Sequence, residues 1–98
     1  MQLHLTGRNF DIGEGLRTYA EKKLNNLATA QEQIITMNVV FHIENVTHIA
    51  EATIHVKGAD FHARAEEKEM KAALDLLVDK LEALLIKHKE KVKNHHHD

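Results

Sequence analysis

The sequence predicts an α+β domain of order β-α-β-β-β-α, a four-stranded mixed sheet with two parallel helices on one face. Three observations carry this reading. Four short segments alternate apolar and polar residues, the period of a half-buried strand. Two longer segments repeat apolar residues every three to four positions, the period of an amphipathic helix. A chain of 98 residues is the length of one domain with one core, burying about 60–65% of its unfolded surface.

The elements follow in order. Gln2 to Thr6 places Leu3 and Leu5 on one side and Gln2, His4 and Thr6 on the other, and Gly7 ends this strand. Asp11 can cap the helix that follows, with Glu14 as its capping-box partner. Leu16, Ala20, Leu24 and Leu27 form the stripe of that helix, flanked by Tyr19; Asn25 and Asn26 weaken it, and its end is expected near Ala28. Met37 to Glu44 is the second strand, with Met37, Val39, Phe41 and Ile43 inward. Glu44 to His48 reads as a polar connection. Ala50 to Val56 is the third strand, and a Gly58-Ala59 turn leads to a fourth with Phe61, Ala63 and Ala65 inward. From about Glu67 the period changes to that of a helix. Met70, Ala73, Leu74, Leu77, Leu81, Leu84, Leu85 and His88 make one stripe over roughly 25 residues, extended by Val92. The first two strands need a right-handed crossover and so lie parallel. Antiparallel hairpins join the rest. Apolar residues face one side in every strand, so both helices cover that side and run the same way. Residues 1–94 are the domain, and 95–98 are a His-rich tail expected to be disordered.

Composition excludes several functions. With no Cys there is no disulfide, thiolate metal site or cysteine nucleophile, and with no Ser there is no serine hydrolase. No apolar run reaches a membrane-spanning length, and the N-terminus lacks the apolar core of a signal peptide, so a cytoplasmic protein is expected. Gly13-Glu14-Gly15 is followed by Thr18 where a dinucleotide loop needs a third Gly. Glu66 and Glu67 are chain neighbours that point opposite ways in a strand. Catalysis therefore has little support.

The net charge of −2 is unevenly spread. Residues 80–94 hold five Lys against Glu82 and Glu90, a basic end on an acidic body. On a helical wheel Lys80, Lys87 and Lys91 form one row beside the apolar stripe, with no acid after Glu69. The opposite flank mixes Lys71, Lys89 and Lys93 with Asp75 and Glu82. Lysine on a helix is commonly a solvated face, and lysine near a C-terminus suits the helix dipole. Yet the first helix adds Lys22 and Lys23, with Lys23 snorkelling from the edge of its stripe. Parallel helices would let both lysine groups border one surface, suited to a nucleic-acid backbone. Aromatics are few, which disfavours a base-stacking single-strand binder and favours shape and phosphate recognition of folded RNA.

Histidine is frequent, at nine residues. His4, His42, His55 and His62 all fall on the strand face away from the helices. A Gly58-Ala59 turn would set His55 opposite His62, close enough to share a metal. Polar residues on a wet sheet face are the commoner reading. No cofactor is required, and zinc or cobalt at these histidines or at His95 to His97 would be adventitious.

The segments "MQLHLTGRNFDIGEGLRTYAEKKL", "VTHIAEATIHVKG", "FHARAEEKEMKAALDLLVDKL" and "KHKEKVK" together resemble the short-form bacterial hibernation promoting factor family, relatives of ribosome-associated inhibitor A (protein Y). The resemblance spans essentially the whole chain. It implies a fold like that of double-stranded-RNA-binding domains, monomeric when free and cytoplasmic. It implies a partner, the small ribosomal subunit and its rRNA, and neither DNA nor membrane. The family occupies the channel of mRNA and of the A- and P-site tRNAs and blocks translation in stationary or starved cells. Short members act with ribosome modulation factor to promote inactive ribosome dimers. The family's basic positions carry over to Lys22, Lys23, Lys80, Lys87, Lys89 and Lys91. Asn26 and Ala83 stand where relatives often carry a basic residue. The alternative reading is a metal-binding or scaffold protein whose lysine rows only confer solubility.

Overall fold

A computed structural model describes residues 1–31 and 33–95, with side chains as far as Glu90. Its elements are β1 (Gln2–Gly7), α1 (Glu14–Ala30), β2 (Ile34–Glu44), β3 (Thr47–Val56), β4 (Ala59–Glu67) and α2 (Met70–His95). The sheet order is β1-β2-β3-β4, with β1 parallel to β2 and the other pairs antiparallel. This is the predicted mixed sheet. Along α1 and α2 the contacts advance together: Tyr19 meets Asp75, and Ala30 shares a cleft with Lys89. The helices therefore run the same way on one face.

The core lies between that face and the helices. Ala20, Leu24 and Leu27 of α1 and Leu74, Leu77, Leu81 and Leu85 of α2 are buried against Met37, Val39, Phe41, Ala52, Ile54 and Ala65. The helical stripes and the strand alternation thus bury most of the residues they predict, while Leu3, Leu5, Leu16, Phe61 and Leu84 are half-buried against the core. Ile43 is an exception: it is the last residue but one of β2 and is 42% exposed.

Boundaries differ from expectation for local reasons. Helix α1 is capped by Gly13, in extended backbone with no side-chain cap bond, and Asp11 does not serve. Ile12 packs on the core, which carries Asp11 upstream of the first turn. The helix also runs two residues past Ala28, because alanine favours the helix that the asparagines weaken. Strand β2 begins at Ile34, and an irregular register between Ile34 and Thr36 turns Ile34 inward and leaves Ile35 outside. The expected Glu44–His48 connection shrinks to Asn45-Val46, since Glu44 pairs with Thr47 and Asn45 takes the left-handed conformation. The next turn is Lys57-Gly58, not Gly58-Ala59: Val56 pairs with Ala59, and Gly58 has φ +84°. Gly7 is required by packing, because a Cβ there would lie 1.9 Å from the Phe10 carbonyl oxygen. Helix α2 has 26 residues and reaches His95. At about 1.5 Å per residue it spans about 39 Å, longer than the sheet is wide. Residues 96–98 of the expected tail lie outside the described residues.

Candidate nucleic-acid interface

The two flanks of α2 carry different chemistry. On the α1 side, Tyr19 Oη donates to Asp75 Oδ1 at 2.6 Å, and Lys23 Nζ lies 3.4 Å from the same carboxylate. Lys71 Nζ stands 4.5 Å from the centroid of the Tyr19 ring. The hydrogen bond to Asp75 raises the Tyr19 hydroxyl above its ordinary pKa. Further along, the groove is lined by Lys23, Asn26, Leu27, Ala30, Val78 and Glu82. Carboxylates therefore share this groove with the lysines. Lys22 is exposed on the outer side of α1.

On the other side, α2 runs beside β4. Lys80 Nζ donates to the Arg64 carbonyl at 2.7 Å. Lys80 and Lys87 flank a recess of about 460 Å³, and no carboxylate lines it. Lys89 lies at the C-terminal end of α1, in a cleft with Ala30, Gln31 and Gln33, where a cation suits the helix dipole. Lys91 falls on the α2 backbone, with its side chain outside the described residues.

This corrects one expectation. Lys23 and the Lys80 row do not border one surface; α2 stands between them. The reason is rotational. The acid-free flank of α2 turns toward β4, and the mixed flank with Lys71, Asp75 and Glu82 turns toward α1. Sequence reasoning placed each lysine on its helix but had no signal for which flank faces which neighbour. It also missed Arg64 at the β4 edge, and it took His62, which lines the same recess, as a metal ligand.

The four sheet-face histidines do not converge as expected. With Lys57-Gly58 as the turn, His55 pairs with Asp60 and His62 with Thr53. His55 Nδ1 lies 2.7 Å from Asp60 Oδ1, and His62 Nδ1 3.3 Å from Thr53 Oγ1. His4 pairs with Asn38 across β1 and β2. His42 is 4% exposed, with Nε2 2.6 Å from Glu51 Oε1 and 2.9 Å from Arg8 Nη2. One ring nitrogen can donate to the carboxylate or accept from the guanidinium, not both. Among the described residues no three His, Cys, Asp or Glu side chains gather as a metal site. The His42 hydrogen bond holds the Glu51 carboxyl below its ordinary pKa, against the effect of burial and with help from Arg64 and Arg8. Arg64 reaches Glu66 at 2.8 Å on its own strand and Glu44 at 3.7 Å on β2. Its guanidinium so passes over β3, where Ile49 is fully buried on this mostly polar face.

Residues 3–93 match the model of the family described as sigma 54 modulation protein / S30EA ribosomal protein. The chain belongs to this family. Its relatives include a ribosome hibernation promoting factor of Salmonella typhimurium, 46% identical over 97% of this chain and all of the relative. One from Escherichia coli is 45% identical over the same shares. Among solved structures it is similar to a ribosomal subunit interface protein from Coxiella burnetii, with TM-score 0.88 and 34% identity over 92% of this chain and 99% of that one. The N-terminal domain of Thermus thermophilus protein Y gives TM-score 0.80 and 30% identity over 90% and 99%. Family and fold agree.

Proposed function

We propose that the protein is a ribosome hibernation factor. It binds the small ribosomal subunit and its rRNA, occupies the channel of mRNA and of the A- and P-site tRNAs, and so blocks translation. The observation that carries this reading is the flank of α2 beside β4, where no carboxylate among the described residues lines the recess between Lys80 and Lys87. An uncompensated cationic row on a rigid helix holds phosphates without reading sequence. The relatives named ribosome hibernation promoting factors support the choice of partner. The protein works in the cytoplasm of stationary or starved cells, monomeric when free. With ribosome modulation factor it promotes inactive ribosome dimers.

Sedimentation with purified small subunits, beside an in-vitro translation assay, tests this. The triple variant Lys80→Glu, Lys87→Glu, Lys91→Glu should stay folded, leave the subunit and lose inhibition. A folded triple variant that inhibits at wild-type concentrations rejects the mechanism.

A further inference from the structure

The recess beside β4 has more than charge. Ala63, Ala83 and Leu84 give it an apolar floor, and His62, Arg64, Lys80 and Lys87 surround it. Ala63 is buried and Ala83 exposed, so the slot is roomy because two of its walls end at a methyl group. Its volume of about 460 Å³ falls in the usual range for small-ligand sites.

Its inner wall is a free strand edge. β4 is the last strand of the sheet. In an antiparallel pair, alternate residues turn both N–H and C=O toward the neighbour, and those between turn them away. The Arg64 carbonyl points outward, because Lys80 reaches it from α2. By the same alternation, the His62 N–H and C=O also point outward. The recess so combines an apolar floor, the outward N–H and C=O of His62, the outward N–H of Arg64 and the two lysine cations, while the Arg64 guanidinium is held by Glu66. The cations are seven residues apart on α2, which sets them about 10.5 Å apart along the helix axis.

We infer that this recess receives an unstacked nucleobase of the RNA, with the phosphates on either side of it held by Lys80 and Lys87. The inference rests on the proposed function and adds to it a structural feature of the RNA, an unpaired nucleotide that can be splayed out. The base lies against Leu84 and the two alanine methyls. Its hydrogen-bonding edge meets the outward His62 backbone groups. A strand from another protein is the rival occupant of a free edge. The geometry favours the base. Lys80 already crosses the edge to Arg64, and a strand running along β4 would have to break that bond, whereas a single base at His62 leaves it intact.

Ala83→Leu tests the inference. It fills the slot at an exposed helical position, keeps every lysine and uses a good helix former. Ala83→Met repeats the test should leucine disturb the fold, and Ala83→Ser leaves the slot open. Each protein is bound at saturation to purified small subunits, which are then treated with reagents specific for the Watson–Crick edges of unpaired bases. Wild type and Ala83→Ser should protect at least one unpaired base that Ala83→Leu leaves reactive. Ala83→Leu should bind about tenfold more weakly, the size of one lost base contact, with an unchanged salt slope. A wild-type footprint and affinity for both Ala83→Leu and Ala83→Met overturns the inference. So does weaker binding with no change at any base, which assigns the edge to a protein strand. Wild-type protein that fails to bind small subunits at all overturns the proposed function, and the inference with it. Normal binding that protects no unpaired base overturns the inference alone.

Discussion

At the scale of single residues, the polar sheet face is organised around Glu51. Its carboxylate meets His42, Arg8 and Arg64, and these partners favour the charged form. The folded pKa is therefore lower than the ordinary 4.5. The sign follows from linkage: the stabilisation is complete above about pH 4.5 and is lost as pH falls through the lower folded value. Glu51→Gln should cost about 1.5–3 kcal/mol at pH 7, the range of a hydrogen bond to a charged group. The difference from wild type should shrink on acidification below pH 4.5. Urea titrations of both proteins at pH 7 and in that acid range measure it. Gly7 tests packing rather than charge. An added methyl meets the Phe10 carbonyl oxygen at 1.9 Å, and backbone cannot step aside as a flexible side chain can. Gly7→Ala should lower stability by about 1–3 kcal/mol in the same titration.

At the scale of elements, α2 separates two electrostatic environments. Toward α1, Asp75 already holds Lys23 and the Tyr19 hydroxyl. Toward β4, no carboxylate among the described residues lines the recess between Lys80 and Lys87. Replacing Lys80 or Lys87 by Ala should flatten the log–log salt dependence of subunit binding by about 0.7–0.9 each. Lys23→Ala and Lys71→Ala should change it less, because Asp75 already offsets part of the Lys23 charge and the Lys71 ammonium stands over the Tyr19 ring. Filter binding at several salt concentrations distinguishes the flanks. Equal effects from all four would refute the division. The apolar stripe of α2 is a separate matter of packing: Leu77 and Leu81 are fully buried. Leu77→Ala should cost about 2–5 kcal/mol in thermal or urea unfolding, while RNA contacts stay in place.

At the scale of the molecule, a chain of net charge −2 presents its cations as local rows rather than as one field. Lys22, Lys80, Lys87 and Lys89 are the exposed family positions whose side chains are described. Four phosphate contacts would give a log–log salt slope of about −3. A slope near zero would remove phosphate binding as the source of affinity. The metal reading fares differently at this scale, since its ligands needed a particular alignment of two strands. Moving the turn by one residue moved His62 from His55 to Thr53. A strand pair is that sensitive because the turn sets the register of every pair behind it.

Periodicity by itself determined the element order, the inward face of each strand and helix and, through the handedness of the crossover, the parallel pairing of β1 and β2. These depend on local spacing and on rules of connection that hold for any chain. The lysines of the candidate interface could be placed on their helices for the same reason. The caps, turns and strand ends were less legible: Ile12, Ile34 and Thr47 were drawn into place by contacts distant in sequence or across the sheet. Only the tertiary structure decided how α2 is rotated between α1 and β4. That rotation gave Lys23 to Asp75, turned Lys80 toward the Arg64 carbonyl, and put an apolar recess beside the acid-free row. A helix wheel contains every angle between its own residues but not the direction of its neighbours. That direction is set when the stripe of α2 settles onto the sheet beside α1, and it decides which charges meet each other and which face the β4 recess.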